Sequence, residues 1–445
     1  MTEDHAQPGL LRILGTGFGL AVVVGGMVGS GIMRAPGVVA LGVSSPTLIL
    51  LLWALGGGVT LLAAMPLVEA GSSVPKAGGP YAIAERAFGP IVGLLTGWLN
   101  WLQYVASTAF VAVVFGEYVH RLGFAAHLST SVLADALILS VAVIAWIGTR
   151  VSGASQNIAS GVKGATFMLL VIVLFASPGE PMTVMAVHPV ALGASALGAV
   201  VMAVRVIYQT YGGWEAAILF SEEVDRPDRN VAKATFWGVG LVTVLYVLIN
   251  AAVLHVLRPA AFAGSSLAVG DAAQVAMGSV GKTVITSIGL FSLASIVNLH
   301  VMSAPRITFS MARDGVLPPA LAKVARGGTP RRSLALFVIG SVLFATSGTY
   351  ESIVRIFAPW TMGLILIVCL CSIKLRVAEP DLPRPWRMPF FPWIAIGAAL
   401  VQTSLIALVV WDDPVAGLRS GIVAIAPLPL YVGFAKAWGR QVGRT

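Results

Sequence analysis

Apolar runs of about twenty residues or more recur along this chain from Leu14 to Trp438, and that recurrence decides its solvent. A helix rises about 1.5 Å per residue, so roughly 20 apolar residues match about 30 Å of hydrocarbon. Charged residues make up 11% of the 445 positions and hydrophobic ones 57%. A soluble domain carries about 25% charged residues and would need them to cover itself in water. Lipid must therefore contact most of this surface, and the expected fold is all-α and integral to a membrane.

Apolar runs between charged or Pro/Gly-rich breaks predict twelve spans. They are 14–41, 46–71, 90–121, 131–149, 157–177, 192–221, 234–257, 281–311, 333–349, 353–376, 390–410 and 416–438. An even count puts both termini on one side. With that side inside, the outer loops hold only Arg121, Arg258, Lys282, Arg355 and Arg419. The inner ones carry about four times as many cations, as the positive-inside rule expects. The expected location is thus an inner (plasma) membrane with both termini cytoplasmic. The net charge of +9 is read as this topology signal, with some attraction to lipid headgroups, and not as a nucleic-acid footprint. Cys369 and Cys371 share one apolar run and imply no external disulfide. The long first run, with no small-residue cleavage site after it, is not a cleavable signal peptide.

Two spans are interrupted. The first contains Gly25-Gly26-Met27-Val28-Gly29-Ser30-Gly31, and the sixth contains Tyr211-Gly212-Gly213-Trp214. Each glycine costs a helix about 1 kcal/mol relative to alanine. Backbone freed at membrane depth is tolerated only against protein or a watery cavity. Small-residue packing between helices explains single glycines, but paired interruptions at corresponding places point to a ligand site between inverted repeats. A half-helix starting near Ser30 and Gly31 presents N–H groups and a positive dipole end to a carboxylate. Free carbonyls near Met27, Val28, Gln209 and Thr210 suit an ammonium group. An amino-acid zwitterion carries both charges.

Several segments resemble the amino acid–polyamine–organocation superfamily, most closely its L-type amino acid transporter branch. They are Gly26-Met27-Val28-Gly29-Ser30-Gly31-Ile32, Pro75-Lys76-Ala77-Gly78-Gly79-Pro80-Tyr81-Ala82 with Phe88-Gly89-Pro90, and Tyr211-Gly212-Gly213-Trp214 with Glu222-Glu223. Tyr246-Val247-Leu248-Ile249-Asn250 follows, then Asn298, Arg306 and Ala312-Arg313-Asp314-Gly315-Val316-Leu317-Pro318. The resemblance implies a single transporter domain: a five-helix repeat over 14–177, an inverted second repeat over 192–376, and two additional helices over 390–438. It implies alternating access around broken helices 1 and 6. It assigns the carboxylate to Val28, Gly29, Ser30 and Gly31, and the amine to carbonyls of Met27, Gln209, Thr210 and Tyr211, with Gly212 in the break.

Ionisable residues inside a span are costly and are functional candidates by default. Lys163 resembles a lysine that stands in the family where sodium-coupled relatives hold a sodium ion, which implies sodium-independent transport and a tie from helix 5 to helices 1 and 8. Snorkelling to the surface is the structural alternative. Glu215 follows the second break and either takes up a proton in the cycle or hydrogen-bonds freed backbone groups of helix 1. Gln209 stands where many relatives place an aromatic gate, so Tyr208 or Tyr211 is the expected substitute. Tyr246 is a further gating candidate from its motif, and His300 is a core histidine or a neighbour of Lys163. Arg34 and Arg205 are expected at an outer vestibule. Glu222, Glu223, Asp225, Arg226, Asp228 and Arg229 form either a solvated loop or an inner-gate network.

A membrane enzyme would need HExxH, a nucleotide-binding loop or paired ligating residues within a span, and the sequence contains none of these. No catalytic residue, metal or cofactor is expected. The expected function is a secondary carrier of amino acids, neutral ones above all, working by sodium-independent exchange (an antiporter) or proton-linked uptake. A polyamine or cationic amino-acid permease is the alternative, and Glu215 is the one clear carboxylate for it. A channel or sensor is the remaining class, and saturable counterflow separates it from a carrier. The loop His120–Thr130 has no cysteine, so no disulfide-linked partner subunit is expected.

Overall fold

The computed structural model describes residues 10–178, 196–347 and 350–429. The ends expected at 192, 349 and 438 lie outside these residues. Helices account for the described elements, and the one β contact is an isolated parallel bridge between Leu14 and Val224.

Helices α1 (Thr16–Met27) and α2 (Ser30–Gly42) form the first span, bent by 41° across the break. Next come α3 (Pro46–Ser73), a short α4 (Pro80–Phe88), α5 (Pro90–Arg121), α6 (Thr130–Ile147) and α7 (Thr149–Ala176). Helix α8 (Ala196–Thr210) stops at the second break and resumes as a 3-10 turn over Trp214–Phe220. Beyond it lie α9 (Pro227–Val256), two short helices, α10 (Pro259–Phe262) and α11 (Ala268–Met277), and the long α12 (Ser279–Arg313). Helices α13 (Arg331–Thr346), α14 (Tyr350–Ala378), α15 (Trp393–Asp412) and α16 (Pro414–Ile425) complete the described chain.

Eight described helices are long and apolar enough to span a membrane singly, and the α1/α2 pair makes a ninth. The α8 segment with its 3-10 turn, α13 and α16 occupy the other three expected places. Each of these three, as described, falls short of about 20 residues in one unbroken helix.

Two starts differ from the sequence reading. Helix α7 begins at Thr149, not 157, and α9 at Pro227, not 234. In α7 the missed turns are polar but buried: Ser152 donates to Asn298 Oδ1 at 3.2 Å, and Asn298 donates to Gln156 Oε1 at 2.8 Å. Hydropathy stops at such residues, although their hydrogen bonds to α12 keep them inside. In α9, Pro227 supplies the first-turn geometry ahead of the apolar run.

Helix α1 packs on α7 and α9, α2 on α8, and α12 on α5, so both breaks lie inside the bundle. Helices α15 and α16 pack chiefly on α14, outside this core. Leu51, Leu55, Val143, Ile158 and Leu169 are large, apolar and exposed on outer faces, which suits lipid and not water.

Candidate functional site

The two breaks meet back to back. Gly213 sits at φ +103°, a left-handed conformation that favours glycine. A Cβ built on Gly213 would lie 2.6 Å from the Gly26 carbonyl oxygen, and one on Gly26 would lie 2.6 Å from that of Gly213. Glycine is needed at both positions for one close approach. In the first break, by contrast, Val28 and Gly29 are simply extended (φ −76° and −144°), a backbone open to any residue.

A cavity of about 330 Å³ opens at this crossing, within the range of small-molecule sites. Gly26, Met27, Gly29, Gly31, Gln209, Thr210, Gly212 and Gly213 supply its backbone wall. Gln103, Tyr104, Ser107, Phe110, Glu215, Ile296, His300, Phe357 and Thr361 are among its side chains. Helix α2 has no side chain capping its N-terminus at Gly29, so its first N–H groups lack the usual partner beside the cavity.

The carbonyls that end the preceding half-helices are engaged, which corrects the expectation that they are free. Val28 is taken at both ends: its N–H donates to Val24 O at 2.9 Å, and its carbonyl accepts from Lys163 Nζ at 2.7 Å and Ser292 Oγ at 2.9 Å. Both lone pairs of that oxygen are used, so Val28 has nothing left for a ligand. Met27 O accepts from the Tyr246 hydroxyl at 2.6 Å, and Thr210 O lies 3.2 Å from the same hydroxyl. Gln209 O accepts from Gly212 N–H at 3.1 Å. A carbonyl has two lone pairs, so Met27, Gln209 and Thr210 each keep one.

Lys163 is buried, and its ammonium donates to Gly25 O at 2.9 Å as well as to Val28 O. It does not snorkel. The tie to helix 8 expected of Lys163 is indirect, because Ser292 of α12 reaches the same Val28 oxygen. Of the two readings of His300, the neighbour of Lys163 is not the one found. Its Nδ1 is 3.1 Å from Thr108 Oγ1, and its ring meets Tyr104 edge-on at 5.1 Å, so it faces α5 and the cavity instead of Lys163.

The aromatic candidates separate. Tyr208 lines the cavity, and its hydroxyl accepts from Gln402 of α15 at 2.6 Å. Tyr211 is fully buried, with its hydroxyl on Trp53 O at 2.8 Å, and it lines neither cavity. It packs the core and is not a gate. Tyr246 also packs the core, its ring centroid 5.0 Å from that of Tyr211. Phe110, which the sequence reading missed, lies on the wall shared with a second cavity of about 490 Å³. The i, i+3 and i+4 spacing of Gln103, Ser107, Phe110 and Val111 on one face of α5 was the available signal.

Arg34, Glu117 and Arg121 line that second cavity, toward the end of the bundle away from the N-terminus. Arg205 does not; it pairs with Asp412 at 3.0 Å, because α15 packs beside this end of α8. At the opposite, N-terminal end the acidic cluster after the second break is tied down. Glu222 accepts from Arg313 at 2.8 and 2.9 Å and from Ala77 N–H at 2.9 Å. Glu223 is buried against Arg306, with Nη2 to Oε2 at 2.7 Å, and the guanidinium also rests 4.5 Å over the Phe220 ring. The Tyr81 hydroxyl donates to Asp314 at 3.2 Å. Burial pushes the Glu222 carboxyl up, but Arg313, Ala77 N–H and Lys76 outweigh that and hold it below its ordinary range.

Glu215 lines the cavity just past the crossing and accepts from Gly213 N–H at 2.9 Å. It thus caps backbone freed by its own break. Cys369 and Cys371 are buried and free.

The Amino acid permease family model matches residues 19–434, which covers both breaks, the cavity and the Glu222–Arg313 and Glu223–Arg306 pairs. The chain belongs to that family. The permease is 27% identical to the Serine/threonine exchanger SteT of Bacillus subtilis, over 98% of this chain and 99% of that one. It is 26% identical to the mouse b(0,+)-type amino acid transporter 1, over 96% and 89% of the two chains. Similarity to the Methylthioribose transporter of Bacillus subtilis is 27% over 84% of each chain. All three relatives are transporters by name, and the permease, with its long apolar helices, is a multi-pass membrane protein.

Proposed function

We propose that the permease is a secondary carrier of amino acids, holding the zwitterion at the crossing of its two broken helices. One observation carries this reading: the cavity lies between an uncapped helix start at Gly29–Gly31 and carbonyls of Met27, Gln209 and Thr210 that each keep a lone pair. The first suits a carboxylate and the second an ammonium, so shared backbone binds what all amino acids share. Val28 is left out of this assignment, and Tyr211 and Gly212 contribute through the shape of the break. Two relatives, a serine/threonine exchanger and an amino acid transporter by name, support the same substrate class.

The five-helix repeats (14–177 and 192–376) are proposed to rock about this site, with 390–438 added outside. The N-terminal end is proposed to be cytoplasmic, on the loop-charge asymmetry. The Glu222–Arg313 and Glu223–Arg306 pairs then form an inner latch, closed here, while the Arg34 cavity is the outer approach. Lys163 supplies a fixed cation under the first break, which supports sodium-independent exchange. No disulfide-linked partner subunit is proposed, since Cys369 and Cys371 are both buried.

Thermal stabilisation of the purified chain in detergent tests the zwitterion site. An amino acid is expected to raise the melting temperature, whereas its methyl ester and its decarboxylated amine leave it unchanged. Stabilisation by amines alone would favour the polyamine reading, and stabilisation by methylthioribose alone would set the zwitterion aside.

A further inference from the structure

The side-chain half of the cavity contains a histidine whose tautomer is fixed by its neighbours. Thr108 has one hydroxyl proton, and it is committed to Tyr104 O at 2.7 Å. The Thr108 oxygen therefore faces His300 Nδ1, 3.1 Å away, as an acceptor, so Nδ1 carries the ring proton. In a neutral imidazole that leaves Nε2 with a bare lone pair. Among the described residues nothing donates to Nε2, nor is it a buried orphan, so it is open where His300 lines the cavity. A buried acceptor left unmade costs about 1–3 kcal/mol, and in a binding cavity a ligand can supply the missing donor.

We propose that the cavity selects amino acids whose side chain donates a hydrogen bond, a hydroxyl above all, with His300 Nε2 as its acceptor. This rests on the amino-acid carrier reading and narrows its substrate class. Thr108 is the positioning residue, because it keeps the proton on Nδ1 and turns Nε2 toward the ligand. Glu215 has one oxygen on Gly213 N–H and contributes charge near the backbone half. Isosteric pairs expose the effect: threonine and valine differ by a hydroxyl in place of a methyl. One hydrogen bond with its desolvation is worth about tenfold in affinity.

The test uses the full chain in liposomes preloaded with unlabelled alanine, following labelled threonine uptake in competition with unlabelled threonine or valine. Threonine should compete about tenfold better than valine, and in His300→Phe the ratio of the two should fall to within about twofold whatever the variant's overall rate. Thr108→Val should weaken the preference, and Thr108→Ser should restore it. If His300→Phe does not fold, Thr108→Val and the wild-type ratio decide the matter alone. Equal competition in the wild type, or an undiminished preference in His300→Phe, would overturn the proposal. Should no amino acid exchange at all, the carrier reading falls with it; failure of the inference alone leaves valine exchange intact.

Discussion

The Tyr246 hydroxyl donates to the Met27 carbonyl oxygen at 2.6 Å, joining α9 to the end of α1. The Tyr246 hydroxyl oxygen also lies 3.2 Å from Thr210 O at the end of α8, so one phenol bridges both broken helices beneath the cavity. Its ring packs against Trp53 at 5.5 Å and Tyr211 at 5.0 Å.

Tyr246→Phe keeps that packing and removes the bridge. Stability should fall by only about 1 kcal/mol, the net worth of one hydrogen bond. Exchange should fall further, by about tenfold, because the two carbonyls lose their common tether. Melting curves read beside exchange rates separate the two effects.

The glycines divide by what surrounds them. Gly213→Ala combines a left-handed φ of +103° with a Cβ 2.6 Å from Gly26 O, so it should cost more than about 2 kcal/mol and abolish exchange. Gly240→Ala, inside α9 with nothing within 4 Å of the new Cβ, should be neutral or add up to about 1 kcal/mol. Melting temperatures of the two variants give the comparison.

Hydropathy and charge made the membrane fold and both breaks legible, because glycine at mid-span is a local signal. The starts of α7 and α9 were not legible, since Ser152 and Gln156 are polar in sequence and are kept inside only by Asn298 of α12. Of the cavity lining, the residues of the two breaks and Tyr208, Glu215 and His300 were legible, but not what their polar atoms bond to. That the Val28 carbonyl is spent on Lys163 and Ser292, and that His300 faces Thr108, depends on residues more than 130 positions apart. Phe110 could be suspected only once its face of α5 was known to meet the cavity.

Lys163 holds two carbonyls that the break has released from α1. Lys163→Met keeps the volume but leaves those oxygens without a donor. Charge-assisted hydrogen bonds of this kind contribute about 1.5–3 kcal/mol each, so the variant should melt lower and exchange at less than about a tenth of the wild-type rate. Neither protein should respond to sodium. Sodium-stimulated exchange in the variant would show that the cation site can be refilled, and sodium dependence in the wild type would contradict the assignment.

Glu222 titrates below the ordinary carboxylate value when paired with Arg313 and Ala77 N–H, and returns toward that value when released. The latch is therefore stabilised fully above that ordinary value, and its contribution is lost as pH falls through the depressed one. Between pH 8 and pH 6, roughly, it should not respond to pH. Arg313→Ala removes a partly exposed pair worth about 1 kcal/mol, or about fivefold in the closed population. Labelling of Ala216→Cys from the N-terminal side, in a background lacking Cys369 and Cys371, should rise by that factor. Unchanged labelling would detach the pair from gating.

Counterflow in liposomes tests the central claim most directly. The purified permease, loaded inside with an unlabelled neutral amino acid and kept free of sodium, should accumulate the labelled amino acid transiently and not when the lumen is empty. Silence with every amino acid, alongside movement of amines or of methylthioribose, would contradict a zwitterion site at the crossing of the two broken helices.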